Sequence, residues 1–166
     1  MRRAPIKSDL TAEYVRSLFL YDPESGIVSH KPRKGVRSLG RAGCVNSGYR
    51  RLKINQIPYQ EHRVIWLMMT GEWPPNGMEP DHKNLDKTDN RWINLRLSTH
   101  SQNAHNAKPR VAGKLKGVFK NGKRYMAVIG IGGKQMYLGT YDTPEMAFSA
   151  YSEKLQSIAG EFARIA

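Results

Sequence analysis

Apolar residues recur at helical spacing in three stretches of the chain, which predict helices over residues 12–20, 62–70 and 144–159. Thr11 and Thr143 precede the first and third stretches and can cap them, because a threonine oxygen accepts hydrogen bonds from the amides of a first turn. The apolar faces comprise Tyr14, Val15, Leu18 and Phe19 in the first stretch, Val64, Ile65, Leu67 and Met68 in the second, and Ala147, Ala150, Tyr151, Leu155 and Ile158 in the third.

Short runs bounded by turn residues predict strands in both halves of the chain. Those before residue 107 are 27–30, 48–54, 57–59 and 93–97, and those after it are 116–120, 124–131 and 135–139. The second and third runs form a hairpin, and Asn121-Gly122 is a strong hairpin turn between two later runs. In the fourth run Ile93, Leu95 and Leu97 alternate with polar residues, which predicts a half-buried strand.

The predicted elements divide at residues 108–114, a small and basic stretch interrupted by proline that is typical of a linker. We therefore predict an α+β chain in two parts. Residues 1–107 form the first part, with a basic portion at 1–60 and a strand–loop–strand–helix motif at about 61–107. Residues 115–166 form the second, a three-stranded antiparallel sheet packed on one helix.

Positive charge is concentrated in two stretches of the chain. The net charge is +13, from 27 Lys and Arg against 14 Asp and Glu. No acidic residue lies between Glu24 and Glu61 or between Asp89 and Asp142. Such stretches suit a polyanion held on both sides of an acidic pocket that Glu72, Glu79, Asp81, Asp86 and Asp89 could form. A solvated basic face and an RNA-binding surface are the alternatives.

Cysteine usage and hydropathy restrict the class of protein further. Cys44 is the only cysteine, which excludes a disulfide within the chain and a zinc finger built on cysteine pairs. We find no apolar stretch of membrane-spanning length and no signal-peptide core. These features predict a protein of the reducing cytoplasm.

The most chemically informative stretch runs from residue 78 to residue 106. Asp81-His82 end a short run, a polar loop follows, and Ser98 or Thr99 can cap a helix that holds Asn103 one turn in. This order can bring a carboxylate, an imidazole and an amide oxygen to one point. A hard cation such as Mg²⁺ prefers oxygen ligands, and a neutral imidazole can take a proton from water, so the set suits phosphodiester hydrolysis. An Asp-His pair taken alone is an ordinary solvated turn.

The same stretch resembles the HNH nucleases, specifically phage and intron-encoded homing endonucleases of the ββα-metal type. The likeness rests on Asp81-His82, Asp89-Asn90-Arg91, Asn94-Leu95-Arg96 and Asn103, and upstream on Tyr21-Asp22-Pro23-Glu24-Ser25-Gly26, Gly48-Tyr49-Arg50, His62-Arg63-Val64-Ile65-Trp66 and Thr70-Gly71-Glu72-Trp73-Pro74. Asn103 stands where many members have histidine.

The resemblance implies roles for particular residues. Asp81 and Asn103 would hold one divalent ion, Mg²⁺ or Mn²⁺, His82 would be the general base, and Asn94 would brace the loop by hydrogen bonds. Four further residues would lie near the site, where the arginines could contact phosphates or hold the loop through carboxylate pairs: His62, Arg63, Arg91 and Arg96.

The C-terminal part resembles the plant ethylene-response-factor (APETALA-type) DNA-binding domain. The likeness rests on Gly117-Val118, Arg124-Tyr125-Met126-Ala127-Val128-Ile129, Tyr137-Leu138-Gly139-Thr140-Tyr141, Ala147-Phe148-Ser149-Ala150-Tyr151 and Gly160-Glu161-Phe162-Ala163. It implies that the outward face of the sheet reads DNA, with contacts from Lys116, Phe119, Lys120, Lys123, Arg124, Met126, Val128, Gln135 and Tyr137. Apolar residues stand where plant members often carry Arg or Glu, and a protein-binding sheet–helix domain is the alternative.

Taken together, these features predict a monomeric, site-specific homing-type endonuclease that cuts double-stranded DNA with a divalent metal and a histidine base. It would be phage-encoded and act in the bacterial cytoplasm. One alternative is a DNA-binding regulator whose nuclease half is vestigial. Another is an RNA-binding protein, for which only Phe119 and Tyr137 offer candidate stacking surfaces on a sheet.

Overall fold

The computed structural model describes residues 10–32, 40–106 and 114–163. It divides into two compact units, Met1–Leu97 and Ser98–Ala166, which we describe one at a time. The predicted linker falls almost entirely outside the described residues, and so does the middle of the basic loop near residues 33–39. Among the described residues, no helix is long and apolar enough to cross a membrane.

In its described residues, the first unit combines two helices with three small sheets. Its elements are α1 (Ala12–Leu18), β1 (Phe19–Asp22), β2 (Ile27–His30), β3 (Cys44–Asn46), β4 (Tyr49–Ile54), β5 (Ile57–Gln60), α2 (Glu61–Thr70), β6 (Met78–His82) and β7 (Leu95–Thr99), the last of which runs into the second unit. The sheets are the β1–β2 pair, the β3–β4–β5 meander and the β6–β7 pair. Both helices pack on a core to which nearly every element contributes, including Val15, Phe19, Val28, Leu52, Ile54, Val64, Ile65 and Leu95.

The first predicted helix is shorter than its apolar pattern indicated. The Thr11 side chain accepts from the Tyr14 amide at 3.2 Å, as predicted, but α1 ends at Leu18. Phe19 and the residues after it form β1, antiparallel to β2. Pairing with β2 gives the backbone N–H and C=O groups of residues 19–22 hydrogen-bond partners, which the last turn of a helix would leave unpaired. Phe19 remains buried in its strand.

The strand predicted over residues 93–97 is confirmed only from Leu95 onward, and its predicted alternation of buried and exposed residues is wrong. Trp92–Asn94 form a 3₁₀ turn, and β7 begins only at Leu95. Ile93 is 77% exposed, whereas Asn94 and Arg96 are buried. The polar residues occupy the interior because each has partners there, which the period-two pattern could not reveal.

The second unit is a three-stranded antiparallel sheet covered by one long helix. Its elements are α3 (His100–Asn106), β8 (Val118–Asn121), β9 (Arg124–Ile131), β10 (Lys134–Tyr141) and α4 (Pro144–Ala159). The strand order is β10–β9–β8, with a register shift between Tyr137 and Gly139. Ala127 and Ile129 of β9 pack against Ala147, Tyr151 and Leu155 of α4. The predicted sheet, hairpin turn and Thr143-capped helix are confirmed, and the chain is of mixed α and β structure.

Gly26 allows the turn between β1 and β2 to touch the loop that precedes β7. Its φ is +70°, and a Cβ built there would lie 2.6 Å from the Asn90 carbonyl carbon. The same turn accepts a hydrogen bond at Pro23 O from the Trp92 amide at 3.0 Å. The turn therefore supports the main chain of residues 90–92.

Replacing Gly26 by alanine should lower the free energy of unfolding of the first unit by about 3 kcal/mol. A left-handed L-residue costs about 1–2 kcal/mol, and the clash with the Asn90 main chain adds about 1–3. Gly48 is the matched control, because its φ is +78° but nothing lies within 4 Å of a built Cβ. Denaturant unfolding followed by tryptophan fluorescence reports on this unit, and equal losses in Gly26→Ala and Gly48→Ala would show that the contact contributes nothing.

Candidate active site

Asp81 and His82 end strand β6 and are both buried. The polar loop that follows returns to β7, which pairs with β6. The Lys83 amide donates to Asn94 O at 2.9 Å, so the strands remain joined where the loop begins. The end of β6 thus places a buried carboxylate and a buried imidazole on consecutive residues at the entrance to the loop.

Asn94 spans this loop from within. Its Oδ1 accepts from the Asn84 amide at 3.0 Å, and its Nδ2 donates to Asn84 Oδ1 at 3.0 Å and to Asp89 O at 2.8 Å. One amide side chain therefore connects the two arms of a loop that has little regular structure of its own.

The His82 ring is enclosed by other aromatic rings. His62, on the first turn of α2, meets it edge-on with 4.9 Å between ring centroids. Tyr49, at the start of β4, lies 5.5 Å from the His62 ring and 6.4 Å from the His82 ring. Lys87 Nζ sits over the Tyr49 ring, 4.6 Å from its centroid. The loop cation and both histidines therefore lie close to one tyrosine ring.

A chain of buried hydrogen bonds extends behind His82. His82 Nε2 lies 2.9 Å from Asn90 Oδ1, and Asn90 Nδ2 donates to Glu61 Oε1 at 2.9 Å. Glu61 in turn accepts from Arg50 Nε at 3.0 Å, and Arg50 Nη2 donates to Ala42 O at 2.7 Å. Glu61 is fully buried and Asn90 is 1% exposed. The chain joins β6, its loop, α2 and β4.

Asp81 is suited to a divalent cation by its chemistry. Its carboxylate is buried, with Oδ2 3.6 Å from Arg96 Nη2, a long separation for an ion pair. Among the described residues no group of three or more His, Cys, Asp or Glu could hold a metal ion. A carboxylate oxygen is a ligand that Mg²⁺ accepts, together with waters and phosphate oxygens. The second predicted ligand, Asn103, lies on α3 in the other unit, and its pairing with Asp81 stays a prediction.

The three arginines predicted near the site all pair with carboxylates. Arg63 Nη1 lies 3.2 Å from Glu79 Oε1, and Arg96 faces Asp81. Arg91 donates two hydrogen bonds to the Asp89 carboxylate, from Nε at 2.8 Å and from Nη2 at 2.7 Å. The hydrogen bonds from Arg91 lower the pKa of Asp89 to about 2. The sequence predicted that these arginines contact phosphates or pair with carboxylates. The structure contains the carboxylate pairs.

The outward face of the C-terminal sheet carries a group of apolar side chains. Phe119 of β8 stands opposite Met126 of β9, and Val128 stands opposite Tyr137 of β10. Phe119 and Tyr137 are both more than half exposed. This face contains four of the residues predicted to contact DNA.

The basic residues predicted to contact DNA lie around this sheet in different settings. Arg124 pairs with Asp142 at 2.9 Å, both side chains being exposed. Lys116 Nζ donates to His105 O at 2.6 Å. Lys120 stands opposite Tyr125 in the register, and Lys120, Lys123 and Gln135 are all exposed.

Sequence reasoning missed Glu61 as a site residue and gave Arg50 and Asn90 no role of their own. Arg50 and Asn90 do fall inside blocks that carried the family resemblance. Glu61 carries no such signal, because a glutamate at the start of a helix ordinarily faces solvent and favours the helix dipole. Only its pairing with a buried arginine reveals it.

Comparison with known proteins supports the prediction that the segment containing Asp81 and His82 belongs to a nuclease. Residues 59–105 match the family model described as HNH endonuclease, which covers less than a third of the chain. The matched segment includes His62, Asp81, His82, Asn94 and Asn103. Comparisons with curated proteins and with solved structures gave no match. The match supports a nuclease function.

The buried position of His62 makes the stability of the first unit depend on pH. Burial, and then the nearby His82 and Arg63, lower the pKa of His62 from 6.5 to about 3. The folded state thus holds this ring neutral over a range in which an unfolded chain would protonate it. Since the unfolded state then binds the extra proton, stability falls as the pH drops below about 6.5.

We expect this single group to lower the free energy of unfolding by about 2 kcal/mol between pH 7 and pH 5. The measurement is denaturant unfolding across that range by tryptophan fluorescence, since Trp66, Trp73 and Trp92 all lie in the first unit. His62→Leu should flatten the dependence by this amount, and His100→Gln, an exposed change in the second unit, should not. An unaltered pH dependence in His62→Leu would contradict the account.

Proposed function

We propose that this protein is a site-specific, divalent-metal-dependent DNA endonuclease of the homing type. The observation that carries the proposal is that Asp81 and His82, both buried, end β6 beside a loop spanned by Asn94. These three residues lie in the segment that matches the HNH endonuclease family. Burial of both groups costs solvation energy, which their contacts with Arg96 and Asn90 partly offset.

His82 is the general base of the proposed reaction. Its imidazole takes a proton from the water that attacks the scissile phosphorus, and the 3′ oxygen of the preceding nucleotide leaves. Asp81 and Asn103 are the residues that would hold Mg²⁺ or Mn²⁺, a Lewis acid that stabilises charge on the phosphate and leaving oxygen. Asn94 keeps the loop in place, so that the base and the carboxylate retain their separation.

Double-stranded DNA is the proposed substrate because of the distribution of charge and of exposed side chains. The net charge of +13 favours a polyanion. In the second unit, we assign the reading of base edges to the outward sheet face with Phe119, Met126, Val128 and Tyr137, as in the ethylene-response-factor domain that this unit resembles. Phosphate contacts from Lys123 and Arg124 at the β8–β9 hairpin would orient that face.

Replacement of His82 by alanine should slow DNA cleavage on the order of a hundredfold or more, as loss of a general base does. Affinity for the same DNA should stay nearly unchanged, because the substitution removes no positive side chain. The measurement is single-turnover cleavage at saturating Mg²⁺ alongside a binding titration, with His100→Ala as the matched exposed histidine. A His82→Ala protein that cuts at the wild-type rate would remove His82 from the mechanism, and a wild-type protein that binds DNA without cutting it would favour the regulator.

Replacement of both Lys123 and Arg124 by alanine should make DNA binding less sensitive to salt. Each lost phosphate contact removes roughly 0.9 from the slope of log affinity against log salt, so two contacts remove roughly 1.8. The rate of cleavage within bound complexes should not change. Lys154→Ala on α4, away from the sheet face, is the control of equal chemistry, and a slope equal to that control would show that the hairpin does not contact DNA.

A further inference from the structure

We propose that Asn90, Glu61 and Arg50 form a positioning relay that fixes His82 as the tautomer with its proton on Nε2, leaving Nδ1 as the atom that accepts a proton from water. The inference rests on the proposed nuclease function for its consequence, but its evidence is the hydrogen-bond geometry alone. None of the three relay residues touches the reacting atoms; they act through His82.

The direction of the relay is set at its far end. Arg50 has only donors, and it meets Glu61 through Nε at 3.0 Å and 3.1 Å from the two carboxylate oxygens. Arg50 is itself anchored to the main chain at Ala42. Glu61 therefore stands as a carboxylate opposite a guanidinium, and a carboxylate can only accept hydrogen bonds.

The orientation of the Asn90 amide follows from Glu61. The group 2.9 Å from Glu61 Oε1 must be the Asn90 NH₂, because the amide oxygen there would face another acceptor. The amide oxygen consequently points to His82. The ambiguity between the nitrogen and oxygen of an asparagine side chain is resolved by the neighbouring charge rather than by the histidine.

The tautomer of His82 follows from Asn90. A ring nitrogen 2.9 Å from an amide oxygen has to donate, so Nε2 carries the proton. In the neutral ring the lone pair then resides on Nδ1. The opposite tautomer would place two acceptors against each other.

Burial gives the relay its strength. Glu61 is 0% exposed, Asn90 1% and His82 3%, so water cannot readily replace a lost partner. The main chain of Asn90 is held as well, since Tyr21 Oη donates to Asn90 O at 2.8 Å. The amide can therefore neither turn over nor withdraw without leaving a buried group unsatisfied.

The test reads the tautomer of His82 directly, in the full-length protein without metal, by long-range ¹H–¹⁵N NMR at mildly alkaline pH. His82→Gln assigns the ring signals. The wild-type ring should show the pattern of a protonated Nε2. In Glu61→Gln the new amide can donate to Asn90, whose own amide can then turn, so both tautomers of His82 should be populated.

The same variants should cleave DNA more slowly than the wild type but bind it with the same affinity. We expect the single-turnover rate of Glu61→Gln to fall on the order of ten- to a hundredfold, as for other residues that orient an active-site group, with the Kd for DNA unchanged. Asn90→Leu removes the acceptor outright and should lose the Nε2-protonated bias. Arg16→Met is the control for general destabilisation, because Arg16 donates to Met68 O at the opposite end of α2. In this variant the His82 tautomer and the cleavage rate should match those of the wild type.

Two results would overturn the relay: a wild-type His82 protonated on Nδ1, or a His82 tautomer that is unchanged in both Glu61→Gln and Asn90→Leu. The first is decisive even if a variant fails to fold. A wild-type protein with the expected tautomer that cuts no DNA would uphold the relay and refute the nuclease instead. The two proposals therefore fail separately.

Discussion

The buried ion pair between Arg50 and Glu61 is the interaction on which the geometry of the site depends. It places a charge in the interior, where removal of one partner would cost about 3–5 kcal/mol. Such a pair is poor evidence for stability in itself, because apolar residues of equal volume often stabilise more. Here the pair determines an orientation. Arg50 keeps Glu61 a hydrogen-bond acceptor, so the Asn90 side chain has to turn its NH₂ group toward Glu61.

The loop after β6 is held in place from several sides. The β1–β2 turn supports the main chain of residues 90–92, with Gly26 in close contact and Tyr21 bonded to Asn90 O. Asn94 joins the two arms of the loop from inside. Glu61 and Arg50 hold the Asn90 side chain from the core. A segment almost without regular structure is thereby given fixed geometry, as a site that positions a base requires.

Sequence periodicity predicted those elements whose burial follows from apolar side chains. Helix α4, the β4–β5 hairpin and the sheet β8–β9–β10 are such cases, and their limits differ from prediction by few residues. The predicted end of α1, and the predicted start and alternation of the strand at residues 93–97, were wrong because tertiary partners overrode the local pattern. Buried Asn94 and Arg96 have the polar character of surface residues, so no periodic pattern can place them inside.

The candidate site was predictable where its residues fall in motifs of the resembled family, which include Asn94 and His62 as well. Asp81 and His82 follow one another, and that motif suggested the roles proposed for them. The relay behind His82 joins residues 50, 61 and 90, whose proximity exists only after β4, α2 and the loop have packed together. Asn103 lies in the other unit, and its place beside Asp81 belongs to the proposed function.

The account as a whole is tested most directly by incubating the full-length protein with supercoiled DNA, with Mg²⁺ and with a chelator in its place. It predicts nicked or linear product only with Mg²⁺. The ends should carry a 3′ hydroxyl and a 5′ phosphate, so that ligase reseals them, and Asp81→Ala should form none. Cleavage that persists in the chelator, or in Asp81→Ala with Mg²⁺, would contradict the assignment of Asp81 and His82 as one metal-assisted site.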